Sequence, residues 1–462
     1  MNICSSKHSL TGNITVPGSK SHTIRALILA SLAEGKSTIH NPLPSADCLS
    51  TAGAMSLLGA EVELNLETEG QPGSDWFVDG AGKKIHLPDD VVNVGNSGSL
   101  LYFLSPIAST FEGWSVFTGD ESIRKRPVNH VADVLCQMGA NAFTSIPGST
   151  NCPLIIQGPV KSGSTVNTDG TASSQYISGL MMAALRMDKA LEINLTDPKE
   201  TPFLVMTQKW LEKIGAHVEM SSDFKHIKVS GPKEIKAFDC TVPSDWEAVA
   251  FPLVAALVSG GEVCIENIDG SGTQGDDAIV DVLKSLGADI DWNKEKQEIR
   301  VSGKNRLTTE GLENNELHVN LSGYPDAICA LSVAACFTEG TVIFEDISVC
   351  RRKETDRIKV MKSELEKLGA LVEEGEDFMV IHGHSPILPD GNPNPDFSLH
   401  GGEVESYGDH RVAMSLACLG LGLGRGETVI VKDAECCAVS FPRFFETMNS
   451  IGAGFVKCRE AL

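Results

Sequence analysis

The sequence predicts an α/β protein of two domains, built from six copies of one unit arranged three and three. Three recurring signals predict it. The first is an apolar helix end followed by Gly-Ala and an alternating stretch. It occurs as MSLLGAEVEL (Gly59), LCQMGANAFT (Gly139), LEKIGAHVEM (Gly215), LKSLGADIDW (Gly287), LEKLGALVEE (Gly369) and MNSIGAGFVK (Gly452), roughly 70–85 residues apart. Glycine is favoured just past a helix end because it accepts the left-handed conformation, and the alternation after it reads as a strand. The second signal is a turn with glycine and a β-rich stretch: EGKSTIHN, EGWSVFTG, GGEVCIEN, EGTVIFED and RGETVIVK, with MDKALEIN as a copy lacking the glycine. The third is a small, polar opening that leads into an apolar helix: PGSKSHTIRALILASL, GNSGSLLYFLSPIAS, GTASSQYISGLMMAAL, PSDWEAVAFPLVAAL, SGYPDAICALSVAAC and YGDHRVAMSLACLGL. These helices are apolar nearly all round, so each is expected to be buried. One unit therefore reads β–buried helix–β–amphipathic helix–β.

Bulk properties bound the function. The chain has 462 residues, more than one ordinary core organises. No apolar run reaches the roughly 18–20 residues of a membrane span, and MNICSSKHSL does not read as a secretory signal. A cytoplasmic location is the default expectation. A formal net charge of −23 argues against nucleic-acid binding, which needs basic patches. If the substrates are anions, the few basic side chains must be gathered where their field is focused. The thirteen Cys include no Cys-x-x-Cys pair and are expected to be buried, reduced thiols. His382, His384 and His400 do not complete a metal-ligand spacing, so no metal is expected.

The six openings carry more chemistry than capping requires. Lys20, Ser21, Asn96, Ser97, Ser173, Ser174, Gln175, Asp326, His410 and Arg411 all stand at or beside helix starts. Helix N-termini attract anions through unpaired N–H groups and the positive end of the dipole. If several of these openings share a cleft, that cleft is a polyanion site, most naturally between two domains.

The stretches PGSKSHTIRALILASLAEG, GNSGS, GDESIRKRP, SSQYISGLMMAA, YPDAICALSVAA, RRKETDRI and YGDHRVAM follow one another in a distinctive order. Through them the chain resembles the 5-enolpyruvylshikimate-3-phosphate synthases over essentially its whole length. The resemblance implies the two-domain enolpyruvyl-transferase fold, with six βαβαββ units, three per domain. One domain would comprise residues 1–18 and 243–462, the other 19–242, with the active site in the cleft between them. It implies transfer of the enolpyruvyl group of phosphoenolpyruvate to the 5-hydroxyl of shikimate 3-phosphate by addition and elimination. No cofactor, metal, nucleic acid or membrane enters that reaction, and a monomer is expected. Glyphosate would compete for the phosphoenolpyruvate site.

Residue by residue, the resemblance gives Lys20, Gly98, Arg126, Gln175, Arg357, His410 and Arg411 to phosphoenolpyruvate. It gives Ser21, Arg25, Ser173, Ser174, Gln175, Asp326 and Lys353 to shikimate 3-phosphate, Arg25 taking the carboxylate and the two serines the phosphate. Asp326 would be the base for the attacking hydroxyl, Glu354 the proton donor and acceptor at the methylene carbon, and Lys20 a further catalytic group. The residue types suit these tasks. A planar guanidinium fork matches a carboxylate, Ser21 and Arg25 stand one helical turn apart, and a carboxylate at a helix start stays ionised. Glu354 must be protonated when it donates, which asks for a raised pKa.

Several positions depart from the family pattern. Val439 stands where many members have Lys, Tyr102 where they have Arg, Ile24 where they have Asn, and Val349 where some have Asn. Glu200-Thr201-Pro202-Phe203 replaces Ser-Lys-Pro-Tyr, whose Ser and Tyr help hold the acceptor phosphate. These departures leave an alternative, an enolpyruvyl transferase for another hydroxylated acceptor; a non-catalytic binding protein on the same fold is a second, against which the retained Lys20, Asp326, Glu354, Arg357 and Arg411 stand. The loop Gly119–Pro127 lacks the Cys common in the UDP-N-acetylglucosamine transferases, and Lys20-Ser21 replaces their Lys-Asn.

Overall fold

A computed structural model describes residues 1–65 and 75–458 of the chain. Gly59, Gly139, Gly215, Gly287, Gly369 and Gly452 all have φ between +87° and +100°, the left-handed conformation that ends the preceding helix without a Cβ penalty. The strand after each glycine joins a four-stranded sheet, and there are six such sheets among the described residues. In a representative one, Thr165–Thr168 runs parallel to Leu191–Leu195, His226–Ser230 pairs antiparallel with the latter, and His217–Met220 takes the edge. The strand that returns beside the post-glycine strand is the element that the recurring signals did not reveal. It converts the three-strand reading into the βαβαββ order.

The chain divides into two compact units, Gly18–Pro243 and Met1–Pro17 with Ser244–Leu462. Each contains three of the sheets and its own apolar core. Strand pairing explains the division. Within Gly18–Pro243, Asp239–Thr241 returns to pair parallel with Glu34–His40 and completes the first sheet. In the other unit, Thr11–Thr15 pairs parallel with Glu262–Glu266, and Asn2–Ser6 lies between Thr428–Lys432 and Val456–Cys458. The first residues of the chain thus supply strands that the C-terminal half lacks.

This pairing corrects one expectation. Cys4 and Cys458 form a disulfide, with Cα atoms 5.7 Å apart and 454 residues between them in sequence. Antiparallel pairing of the first and last described strands brings them together, and no local spacing could have revealed it. The other eleven cysteines are thiols, buried except for Cys136, which is exposed, and Cys436, which is half-buried.

The six apolar helices are buried. They are Lys20–Leu32, Gly98–Ala108 and Ser174–Ala183 in one unit, and Trp246–Ser259, Ile328–Cys336 and His410–Leu421 in the other. Their apolar residues face sheets and one another. Close packing shows at Gly179, where a Cβ would lie 2.2 Å from the Tyr102 carbonyl oxygen. None of the helices among the described residues is long and apolar enough to cross a membrane.

Gly179→Ala should destabilise the protein by about 1–3 kcal/mol, because the added methyl meets backbone rather than a flexible side chain. Gly53 lies exposed in the helix Ala46–Leu57 with nothing within 4 Å of its would-be Cβ, so Gly53→Ala should stabilise by about 0.5–1 kcal/mol. Thermal unfolding of the two variants, moving in opposite directions, is the check.

Candidate active-site residues

In the unit Gly18–Pro243 the candidate side chains cluster at the starts of its three buried helices. Lys20 opens the first, and its Nζ lies 3.4 Å from Asp47 Oδ2. One turn further, Arg25 is 1% exposed. Its Nη1 donates to the Ser21 carbonyl (3.0 Å), its Nε to Thr207 Oγ1 (2.8 Å), and its Nη2 to Ser178 Oγ and the Phe203 carbonyl (3.4 Å each). The guanidinium also lies over the Phe103 ring, 4.7 Å from its centroid. All these acceptors are neutral, and burial lowers the Arg25 pKa to about 9. A buried cation held only by neutral oxygens is short of a counter-anion.

The second helix starts at Gly98, with Ser97 Oγ accepting from the Leu100 amide. A Cβ on Gly98 would lie 2.3 Å from Arg126 Nη1, so the glycine admits the arginine directly against the backbone. The Tyr102 hydroxyl donates to the Pro127 carbonyl (2.9 Å) and so anchors the loop that carries Arg126. Gln175, in the first turn of the third helix, donates to Ser99 Oγ (2.9 Å) and ties the second and third openings together. Ser173 caps that helix by accepting from the Gln175 amide. Glu200, which is 2% exposed, places its Oε2 on the Ser174 amide (2.9 Å), Ser174 Oγ (3.1 Å) and Ser173 Oγ (3.3 Å).

In the other unit the candidates form one buried network around Arg357. This residue starts the helix Arg357–Glu366, and its side chain is inaccessible to solvent. Nε and Nη2 bind Asp409 at 2.8 and 3.3 Å, Nη2 also binds Glu354 Oε2 at 2.5 Å, and Nη1 binds Asp326 Oδ1. Lys353 Nζ lies 3.2 Å from Asp326 Oδ2, and Arg411 Nε lies 3.2 Å from Asp326 Oδ1. Arg411 Nη2 binds Glu247. Burial pushes the Asp326 carboxyl upward, but Lys353, Arg411 and Arg357 together hold it well below the ordinary range. Asp326 is therefore held in the ionised form, in which a carboxylate can accept a proton. His410 is buried at the start of the helix His410–Leu421. Among the described residues no group of three or more His, Cys, Asp or Glu is placed to hold a metal ion.

The arrangement corresponds to known proteins along its whole length. The family model for EPSP synthase (3-phosphoshikimate 1-carboxyvinyltransferase) matches residues 5–448. This chain belongs to the EPSP synthase family. A 3-phosphoshikimate 1-carboxyvinyltransferase of Ruminiclostridium cellulolyticum is 37% identical over 446 residues, covering 96% of this chain and 97% of the relative. One from Acetivibrio thermocellus is 36% identical, covering 98% of each. The structure of EPSP synthase from Acinetobacter baumannii superposes with a TM-score of 0.77 at 27% identity, covering 99% of both chains.

Three departures from the EPSP synthase pattern now have local explanations. Ile24 is fully buried in the apolar core and Val349 nearly so; Tyr102 positions the Arg126 loop. Val439 lies half-buried at the end of the turn Ala434–Val439, and nothing in its surroundings explains the change from Lys. Sequence reasoning missed five functional neighbours: Asp47 beside Lys20, Ser178 and Thr207 on Arg25, Glu247 on Arg411, and Asp409 on Arg357. Only Asp409 left a signal, as the capping residue before His410; it accepts from the Arg411 amide (3.0 Å) and from Thr355 Oγ1 (3.0 Å).

Asp276 adds a further acid to this network. Among the described residues its Oδ1 is buried without a hydrogen-bond partner, and burial, then Glu247 and Asp326, push its carboxyl well above the ordinary range. The folded state therefore holds this proton more tightly than the unfolded chain does. Stability is lost as pH rises from the ordinary carboxylate range through the raised value. Asp276→Asn should melt above the wild type at neutral pH, with the gap closing as pH falls to about 4. Melting curves across that range test the assignment, and a gap that does not change with pH contradicts it.

Proposed function

We propose that the chain transfers the enolpyruvyl group of phosphoenolpyruvate to the 5-hydroxyl of shikimate 3-phosphate and releases phosphate. The observation that carries the reading is that Arg357 bonds both Asp326 and Glu354, the two carboxyls the reaction needs as base and acid, in one buried network. Asp326, kept ionised by its three cations, accepts the proton of the attacking hydroxyl. The oxygen bonds to the central carbon of phosphoenolpyruvate while Glu354 protonates the methylene carbon. In the second step Glu354 takes a proton back from the resulting methyl group, the double bond reforms, and the departing phosphate takes up the proton held by Asp326.

Binding follows the same division of labour. Lys20, Gly98, Arg126, Gln175, Arg357, His410 and Arg411 receive phosphoenolpyruvate. Ser21, Arg25, Ser173, Ser174, Gln175, Asp326 and Lys353 receive the acceptor. The under-compensated charge of Arg25 supports its assignment to the acceptor carboxylate, because an incoming anion supplies what its neutral partners do not. The pairing of Glu354 with Arg357 supports a sequence of events. Phosphoenolpyruvate draws the guanidinium to its own charge, which frees Glu354 to carry a proton. Every charge and proton is handled by side chains, so the reading includes neither metal nor organic cofactor, and it takes the enzyme to be a cytoplasmic monomer.

Phosphate release measured with phosphoenolpyruvate and shikimate 3-phosphate tests this reading. The wild type should release one phosphate for each acceptor consumed. Glu354→Gln should bind both ligands yet turn over about a hundredfold more slowly, or worse, as expected for loss of general acid–base catalysis. Release without acceptor consumption, or wild-type turnover by the variant, contradicts it.

A further inference from the structure

We infer that Glu200 is a specificity-determining residue: a resident carboxylate that occupies the acceptor's phosphate seat and must be displaced by it. The inference rests on the reading that Ser173 and Ser174 receive that phosphate. The helix Ser174–Ala183 presents an amide at Ser174 that has no partner within the helix, together with the hydroxyls of Ser173 and Ser174. These donors, at the positive end of a helix, form an anion seat. One oxygen of Glu200 takes all three. A phosphate that uses these donors needs the space the carboxylate fills. Were both present, two anions would face each other where almost no water screens them, since Ser173, Ser174 and Glu200 are all buried. Acceptor and Glu200 therefore exclude each other at this seat.

The position of Glu200 suits such exchange. It directly precedes the helix Thr201–Lys213, yet its side chain makes no capping bond to that helix. The carboxylate reaches across to a different helix, so withdrawing it does not uncap its own. Asp409 differs, because it caps the helix it precedes and binds Arg357 as well. A serine in place of Glu200 would add a donor where the wild type has a competing acid. Glu200 thus lowers affinity for a phosphorylated acceptor, and it leaves the chemistry at Asp326 and Glu354 untouched.

Steady-state kinetics of the full chain test the inference, with wild type, Glu200→Ser and Glu200→Gln assayed on shikimate 3-phosphate and on unphosphorylated shikimate. Wild-type turnover of shikimate 3-phosphate checks the functional reading by itself, and its absence would overturn that reading rather than the role of Glu200 alone. Given turnover, Glu200→Ser should lower KM for shikimate 3-phosphate about tenfold or more, the size of one charge-assisted hydrogen bond. Its KM for phosphoenolpyruvate and its response to unphosphorylated shikimate should stay within about twofold, a change well under 1.4 kcal/mol. Glu200→Gln keeps the shape without the charge and should shift in the same direction by less, which preserves the test if the serine variant folds poorly. Should KM for shikimate 3-phosphate be unchanged or raised in a variant that melts like the wild type, Glu200 is a structural or binding group and the inference fails.

Discussion

Arg357 has no access to solvent, and the organisation of its half of the molecule follows from keeping its charge there. A buried guanidinium is tolerable only with carboxylates around it. Asp409, Asp326 and Glu354 supply them from three separate segments of the chain. The helix His410–Leu421 brings Asp409, the turn Pro325–Ala327 brings Asp326, and the segment before Arg357 brings Glu354. A buried ion network of this kind gives little net stability. Removing one member would cost about 3–5 kcal/mol, because another charge would be left uncompensated. Its use is geometric, since it fixes two carboxylates, the proposed base and acid, relative to one guanidinium.

The same constraint shapes the remaining basic groups. With a net charge of −23, the protein has acids to spare, and they settle where anionic ligands are expected. Asp47 lies on Lys20, Glu247 on Arg411, and Glu200 on the serine seat. These contacts keep the ligand-free protein from carrying naked buried cations and open donors. They also set a threshold, because a ligand must offer a better anion than the resident one. Arg25 stands apart, with neutral partners alone among the described residues. Near Arg411, burial first and then the charges of Glu247 and Asp326 hold the Asp276 carboxyl well above the ordinary range.

Much of this was legible in the sequence, and the reasons are local. The six Gly-Ala segments state a backbone conformation that glycine alone adopts cheaply, and all six adopt it. Buried helices were visible as all-round apolar stretches. The return strand of each sheet was not, because it follows a plain turn and carries no signal distinct from the strand before it. Pairing across the whole chain was equally invisible, and the Cys4–Cys458 bond with it. Lys20, Arg25, Arg357 and Arg411 could be singled out as charges in apolar surroundings. Their partners Asp47, Thr207 and Glu247 could not, since a partner is chosen by tertiary position rather than by spacing. Glu200 shows the limit most clearly: the sequence marked it as an acid in a place meant for phosphate, and the structure adds that it sits on the donors instead of turning away.

The central claim is that resident carboxylates hold the anion seats until ligands replace them, while Asp409 holds Arg357 throughout. A crystal structure with shikimate 3-phosphate and glyphosate bound tests this most directly. The account predicts that Glu200 has left Ser173 and Ser174 and that Glu247 has left Arg411, with ligand oxygens in their places and Asp409 still on Arg357. Glu200 and Glu247 found in their present positions with both ligands bound would contradict it.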